Sequence, residues 1–306
     1  MESPFDFLNQ SFDISSLQGL SADQIKNYLQ TGESMGVEAP KFTWKDMLEI
    51  VKTKGPVEAY KFAHALTMKW SDNDVRFFGD WVKQAKLSAS VEDLFLVFAT
   101  ESNLRTDSCA PFPTGKPGAC VAVGLNQMTR AAFQGMGRLS VVYDSEKNPD
   151  GTYKDPAKHD AWKKNEDVTI GLFLEMSKEI AAMDVETQLK QVVFPYFLNI
   201  EKKYGVTDWD VVTLYVANLA TSHVWASKKP EHVIFTRGDS GYAGNGSLDF
   251  NGDGKITVGD VAGVLRKNRE QKPEYIAMMY RYQTLVKPGV SFDPGWKPPP
   301  GWPFNV

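Results

Sequence analysis

The chain has 306 residues, of which 42% are hydrophobic and 24% charged, a composition typical of a folded protein with one large core or two smaller ones. Lys and Arg total 34 against 38 Asp and Glu, so the net charge of -4 lacks the basic surplus of a nucleic-acid-binding protein. No run of about 18 apolar residues occurs, which excludes an ordinary membrane-spanning helix.

The N-terminal segment MESPFDFLNQSFDISSLQGL has no basic start and no unbroken apolar run, so we expect no secretory signal peptide. Beyond it, apolar residues recur at spacings of three and four, which predicts a mainly α fold. Ser90 with Asp93 and Thr207 with Asp210 have the spacing of capping boxes. The predicted helices cover residues 22–31, 43–54, 56–70, 73–86, 90–102, 129–135, 165–182, 186–203, 208–220, 258–270 and 273–286.

Three regions are expected along the chain. Residues 1–88 form an N-terminal helical region, which is either a small separate domain or an extension packed on the main domain. Residues 89–290 form the main domain. Residues 291–306 form a tail rich in Pro and Trp, which either docks into an aromatic-lined groove or wraps over its own domain.

An acidic residue lies on an apolar helical stripe near position 100. The segment SVEDLFLVFATE puts Glu101 on the same face as apolar residues of the predicted helix, namely Val91, Leu94, Phe95 and Phe98. Desolvation on such a stripe penalises the carboxylate and raises its pKa, which suits a general acid working near neutral pH. The alternative is a partly exposed acid at a helix end.

Cys109 and Cys120 are the only cysteines, and both lie in a loop rich in Pro and Gly. A disulfide across this loop would contribute about 2–3 kcal/mol by loop closure. Two reduced thiols fit the spacing equally well.

Three motifs follow one another in the chain. Glu101 and Ser102 are followed by the segment Gly124–Leu125–Asn126–Gln127 and then by the predicted helix LYVANLA, which carries Tyr215 and Asn218 on one face. These residues resemble the soluble lytic transglycosylase and goose-type lysozyme superfamily, with its ES pair, GLMQ-like turn and YNAG-like or YLAH-like helix. Asp167 and Gly171 resemble positions of a further family helix, and the resemblance spans roughly residues 90–225.

The resemblance implies a lysozyme-like helical domain that cleaves peptidoglycan between N-acetylmuramic acid and N-acetylglucosamine. Glu101 would be the general acid and base, and no organic cofactor is implied. The residues implied to bind the glycan are Ser102, Asn126, Gln127, Tyr215 and Asn218.

The number of carboxylates distinguishes two reactions of this superfamily. A lytic transglycosylase needs one, which protonates the leaving oxygen and then deprotonates the 6-hydroxyl of the sugar, whereas a hydrolase usually needs a second. The only other acid between Glu101 and Gly124 is Asp107, which we expect to be a solvated loop residue. A lytic transglycosylase is therefore favoured, with a goose-lysozyme-like hydrolase and a non-catalytic virion or cell-wall-binding protein as alternatives. By analogy of fold, we expect a bacteriophage virion or tail protein delivered to the periplasm or cell wall, with other tail proteins as partners.

Residues 249–260, DFNGDGKITVGD, have the ligand spacing of an EF-hand-like calcium loop, in a form similar to dockerin loops. The expected ligands of a structural Ca²⁺ are Asp249, Asn251, Asp253, the carbonyl of Lys255, and Asp260. The alternative is a tight Asp/Gly turn without metal. The four histidines show no zinc-ligand spacing and are expected to be scattered.

Overall fold

The computed structural model describes residues 42–111, 120–139, 143–145, 162–164 and 166–286. The described part of the chain is mainly α, as predicted. The predicted helix at 22–31 and the tail at 291–306 lie outside these residues. None of the helices in this part of the chain is long and apolar enough to cross a membrane.

Most of the helix bounds follow the predicted ones closely, but the short helix Ser240–Asn245 lies where no helix is predicted. The α-helices are α1 Trp44–Lys54, α2 Pro56–Leu66, α3 Asp72–Gln84, α4 Val91–Ser102, α5 Arg130–Gly135, α6 Glu166–Ala181, α7 Val185–Gln188, α8 Phe194–Tyr204, α9 Val211–Leu219, α10 Ser240–Asn245, α11 Val258–Gln271 and α12 Pro273–Val286. A π-helical turn covers Leu189–Val193, and 3-10 turns cover Thr221–Ala226 and Gly246–Leu248.

Short antiparallel strands, which helical periodicity does not predict, lie between the helices. The strands are β1 Cys109–Pro111, β2 Cys120–Val123, β3 Met128–Thr129, β4 Tyr143–Ser145, β5 Trp162–Lys164, β6 Val233–Thr236 and β7 Lys255–Thr257. They pair as β1–β2–β3, β4–β5 and β6–β7. The first sheet holds the GLNQ turn between β2 and β3, and the last holds the predicted calcium loop before β7.

Helix α4 is the centre of the main core. Its six residues from Leu94 to Ala99 are all buried, and it packs against α3, α9, α11 and α12. Trp70 and Phe78 lie against Phe95, with ring centroids 5.3 and 4.8 Å from it. Because Trp70 and Phe78 precede residue 88, the core continues across the predicted boundary at that position. The described residues 42–88 are thus packed on the main domain.

Helix α2 ends at Leu66, four residues before its predicted end, and a buried arginine accounts for this. Arg281 of α12 is fully buried and donates to the carbonyl of Thr67 at 3.1 Å, the carbonyl of Trp70 at 2.9 Å and the carboxylate of Asp72 at 2.7 Å. The carbonyl of Thr67 also accepts from the N–H of Trp70 at 3.0 Å, so the chain turns between these residues and the guanidinium stabilises the turn. A second small core forms between α1, α2 and α12.

Two other differences from the sequence expectations have local causes. Asp210 caps α9 by accepting from the backbone N–H of Thr213 at 2.7 Å, so the predicted capping box at Thr207 is wrong. The predicted helix at 186–203 contains the π-helical turn directly before Pro195, which has no N–H to donate to the carbonyl of Gln191. That carbonyl accepts from Arg138 instead.

Candidate active site

Glu101 lies in the last turn of α4 and is partly exposed at the edge of the core. The helix ends at the next residue, Ser102, because Asn103 adopts a left-handed conformation, with φ of 53°. The N–H of Asn103 donates to the carbonyl of Ala99 at 3.2 Å, and that of Leu104 to the carbonyl of Phe98 at 3.1 Å. The helix end thus fixes the backbone of Glu101.

The side chains of Tyr215 and Asn218 hydrogen-bond to the Glu101 carboxyl group. Both belong to α9 and lie on one face of it, as their spacing predicts. Burial raises the pKa of Glu101 to about 7, because surrounding protein atoms desolvate the carboxylate although the residue as a whole is partly exposed. The two hydrogen bonds and the charge of Lys272 lower the pKa, but burial outweighs them.

The groups of the described residues that shift the pKa of Glu101 include no carboxylate. Asp107, the nearest acid in sequence, is ion-paired with Lys69 at 2.7 Å and with Arg105 at 3.1 Å. Burial raises the pKa of Asp107, but these ion pairs outweigh burial and hold the pKa below its usual value. Asp107 is therefore an ion-paired carboxylate rather than the solvated loop residue expected from the sequence.

Two buried tyrosines stand near Glu101. Burial and the neighbouring Glu101 raise the pKa of Tyr215 well above its usual value, and burial raises that of Tyr196 on α8 to about 12. The Tyr196 hydroxyl donates to the carbonyl of Ala217 at 2.7 Å, which holds α8 against α9. Both phenols are neutral at physiological pH, so Tyr215 acts as a hydrogen-bond donor to Glu101. Tyr196 belongs to none of the sequence motifs.

Ser102 contacts the backbone of two segments, and its role in substrate binding stays a prediction. The residue is buried, and its hydroxyl lies 2.9 Å from the carbonyl of Phe98 and 2.8 Å from the carbonyl of Leu125. Its single O–H proton is thus shared between two backbone acceptors inside the protein. The contact ties the end of α4 to the GLNQ turn.

The polar side chains of the GLNQ turn hydrogen-bond to nearby protein groups, and their substrate-binding roles stay predictions. The Gln127 amide donates to the carbonyl of Gly124 at 2.9 Å and to that of Ser108 at 3.3 Å. Asn126 is 1% exposed and donates to the sulfur of Met128 at 3.2 Å. Gln127 remains partly exposed. The amide nitrogens of Asn126 and Gln127 are thus bonded to neighbouring protein groups, while Oδ1 of Asn126 is buried without a hydrogen-bond partner among the described residues.

Gln188, which the sequence analysis missed, holds the GLNQ turn. Its Oε1 accepts from the N–H of Leu125 at 2.7 Å, and its Nε2 donates to the carbonyls of Thr106 at 3.0 Å and Ile180 at 2.9 Å. The residue is 1% exposed, so these bonds satisfy backbone groups that water does not reach. A Gln inside the predicted helix at 186–203 gave no signal of this role, because two of its partners, Thr106 and Leu125, are distant in sequence.

Cys109 is disulfide-bonded, and Cys120 is the only other cysteine of the chain. Cys109 starts β1 and Cys120 starts β2, the strand that leads into the GLNQ turn.

The side chain of Asp167, on α6, lies outside the described residues. Gly171 on the same helix has open space around its Cα, so no close contact requires glycine there.

The predicted calcium loop is closed by hydrogen bonds from its own backbone. The carboxylate of Asp249 accepts from the N–H groups of Gly252 at 2.8 Å, Asp253 at 3.1 Å and Gly254 at 2.9 Å. The side chain of Asn251 accepts from the N–H of Asp253 at 2.9 Å. Gly252 and Gly254 have φ of 77° and 87°, which glycine adopts without strain.

The end of this loop starts α11. Asp260 and Thr257 form a capping box there, and the Thr257 N–H donates to Asp260 at 2.9 Å. Lys255 begins β7, which pairs with β6. The oxygen donors fit Ca²⁺ in type. The part of the chain that the structure describes contains no group of three or more His, Cys, Asp or Glu side chains placed to hold a metal ion.

Two histidines expected to be scattered are in contact. Nδ1 of His223 lies 2.9 Å from Nε2 of His232, and the ring of Trp225 lies 5.1 Å from that of His232. Burial and the neighbouring His232 lower the pKa of His223. The pair joins the 3-10 turn after α9 to the start of β6.

The described residues form a mainly α protein in which a tyrosine and an asparagine hold the Glu101 carboxyl group, whose pKa is raised. No family model, curated protein or solved structure matches this chain.

Proposed function

We propose that this protein is a lytic transglycosylase that cleaves the β-1,4 bond between N-acetylmuramic acid and N-acetylglucosamine in peptidoglycan. The observation that carries the proposal is the contact of Glu101 with Tyr215 and Asn218. The sequence resemblance assigns these three residues, which lie in separate motifs, to one site. A lysozyme-like arrangement of the helical domain would bring them together. A pKa of about 7 leaves the carboxyl group able to give and take a proton near neutral pH.

The proposed reaction uses Glu101 twice. The protonated carboxyl group gives its proton to the bridging oxygen as the bond from that oxygen to C1 breaks. The carboxylate then takes the proton of the 6-hydroxyl while O6 bonds to C1, which gives a 1,6-anhydro end without water. Tyr215 and Asn218 hold the carboxyl group in place and stabilise its charged form between the two steps.

The absence of a carboxylate among the described groups that shift Glu101 favours this reaction over hydrolysis. Inverting and retaining glycosidases use two carboxyl groups, one on each side of the bond. Asp107 has two cationic partners and a lowered pKa, which does not suit a base that activates water beside Glu101.

Ca²⁺ forms part of the proposal as a structural ion. Asp249, Asn251, Asp253 and Asp260 would hold it together with the carbonyl of Lys255, and the bound ion would brace the β6–β7 hairpin. Because α11 begins inside this loop and its last turn contacts α4, the loop supports the helix that leads to the site.

The proposed setting is a bacteriophage virion or tail, from which the protein reaches the bacterial cell wall. Its partners there would be peptidoglycan strands and other virion proteins. This part of the proposal rests on the resemblance alone, and mass spectrometry of purified virions, searched with this sequence, tests it. Particles that lack the chain would contradict it.

Digestion of purified peptidoglycan tests the reaction. Wild-type protein should release muropeptides with 1,6-anhydro ends, identified by mass spectrometry, and Glu101→Gln should release none. The matched control is Glu175→Gln, which changes an exposed, ion-paired glutamate of α6 and should retain activity. Reducing ends in place of anhydro ends would identify a goose-lysozyme-like hydrolase. Binding of peptidoglycan without cleavage would identify a non-catalytic cell-wall-binding protein.

A further inference from the structure

The last turns of α9 and α11 both contact the last turn of α4, at Glu101 and at Thr100. Asn218, in the last turn of α9, hydrogen-bonds to Glu101 in the last turn of α4. Asn268, in the last turn of α11, donates to the Thr100 hydroxyl at 3.2 Å. Lys272 follows directly after α11, and its N–H donates to the carbonyl of Asn268 at 2.8 Å. The end of α11 is therefore fixed beside the acid.

Helix C-termini carry partial negative charge, equivalent to about half an elementary charge each. Three such ends disfavour a carboxylate among them and favour a cation. Lys272 supplies that cation from the C-terminus of α11, where the helix dipole stabilises it. The charge of Lys272 lowers the pKa of Glu101, opposing the effect of burial.

Two other cations on the helices packed against α4 are paired with acids away from Glu101. Arg269 of α11 is paired with Asp93 at 2.6 Å, in the first turn of α4 and away from Glu101. On α12, Arg281 is paired with Asp72 of α3 at 2.7 Å. The phenols of α8 and α9 near Glu101 are neutral.

We propose that Lys272 is a positioning residue of this site, whose ammonium group stabilises the Glu101 carboxylate formed when the proton has left for the leaving oxygen. This role rests on the proposed function for its chemistry, and on the end of α11 beside Thr100 together with the charge effect of Lys272 for its electrostatics. A transglycosylase needs that carboxylate to persist until it takes the proton of the 6-hydroxyl. Lys272 then performs part of the stabilisation that a solvent-exposed carboxylate would receive from water.

An NMR titration of the full-length protein, with the glutamate carboxyl carbons labelled, tests the role without any substrate. The Glu101 signal is identified by its loss in Glu101→Gln. In Lys272→Met the midpoint of this titration should move to higher pH, and Lys272→Gln provides a second neutral variant. Lys272→Arg keeps the charge and should restore the wild-type midpoint. Lys267→Met removes an exposed lysine of the same helix and should leave it unchanged.

The same midpoint in wild type and in both neutral variants would overturn the role of Lys272. Because this readout needs no activity, it can succeed even if the protein does not cleave peptidoglycan. If the protein does cleave it, the alkaline limb of the pH–activity profile should move to higher pH in Lys272→Met, and an unmoved limb would also contradict the proposal.

Discussion

The side chain of Tyr215 on α9 hydrogen-bonds to the carboxyl group of Glu101 on α4, and Tyr215 is buried. The phenol keeps its proton because burial and the neighbouring carboxyl group both raise its pKa. It is therefore a fixed donor to an acid that changes its protonation state. Four predictions follow from this site and the segments that support it.

The first prediction concerns stability against pH. The pKa of Glu101 in the folded protein is about 7, above the ordinary 4.5, so folding favours the protonated form. Stability is therefore lost as pH rises from 4.5 to 7, and the full penalty remains above 7. Relative to wild type, Glu101→Gln should gain about 1–3 kcal/mol between pH 4.5 and pH 9, measured by urea unfolding. Glu175→Gln should show no such gain, and a pH-independent difference for Glu101→Gln would contradict the raised pKa.

The second prediction concerns Tyr215→Phe. The change removes a hydrogen bond that stabilises the Glu101 carboxylate, so the pKa of Glu101 should rise. Turnover of peptidoglycan should fall about 10- to 100-fold, since loss of a single donor to a developing charge has costs of this order or larger. Tyr204→Phe, at a partly exposed tyrosine of α8, should retain wild-type turnover. Full activity in Tyr215→Phe would show that the Tyr215 hydroxyl is not needed for the reaction.

The third prediction compares two glycines with similar backbone conformations. Gly124 has φ of 82°, and a Cβ there would lie 2.7 Å from Oε1 of Gln188. Gly137 has φ of 70° with nothing within 4 Å. Gly137→Ala should lower the free energy of unfolding only by the strain of a left-handed backbone, about 1–2 kcal/mol. Gly124→Ala should cost more in urea unfolding, because it also displaces the side chain that holds the GLNQ turn. If both variants lose the same free energy of unfolding, the side chain of Gln188 can move away from the new Cβ without destabilising the protein.

The fourth prediction concerns the calcium loop. Ca²⁺ should raise the melting temperature of the protein, and a chelator should reverse the rise, because an ion that binds the folded state stabilises it by about 2.7 kcal/mol at 100 times its Kd. Asp249→Ala should abolish the response. Asp80→Ala, at an exposed position of α3, should keep it. If neither Ca²⁺ nor the chelator changes the melting temperature, the segment is a tight turn that does not bind the metal.

The sequence by itself determined the helices and the residues of the acid site. Periodicity located α4, α9, α11 and α12 to within a few residues, because each buries one apolar face. The motif spacing selected Glu101, Tyr215 and Asn218, which the structure brings into contact.

Only the tertiary structure decided what surrounds the acid. The buried amide of Gln188, the inward hydroxyl of Ser102 and the charge of Lys272 act on segments far away in the sequence. A hydrogen bond or a charge acts over a few ångströms in space, and a single sequence does not state which distant residues come that close. Local pattern therefore fixes helices and candidate residues, whereas chain packing decides which polar groups meet them.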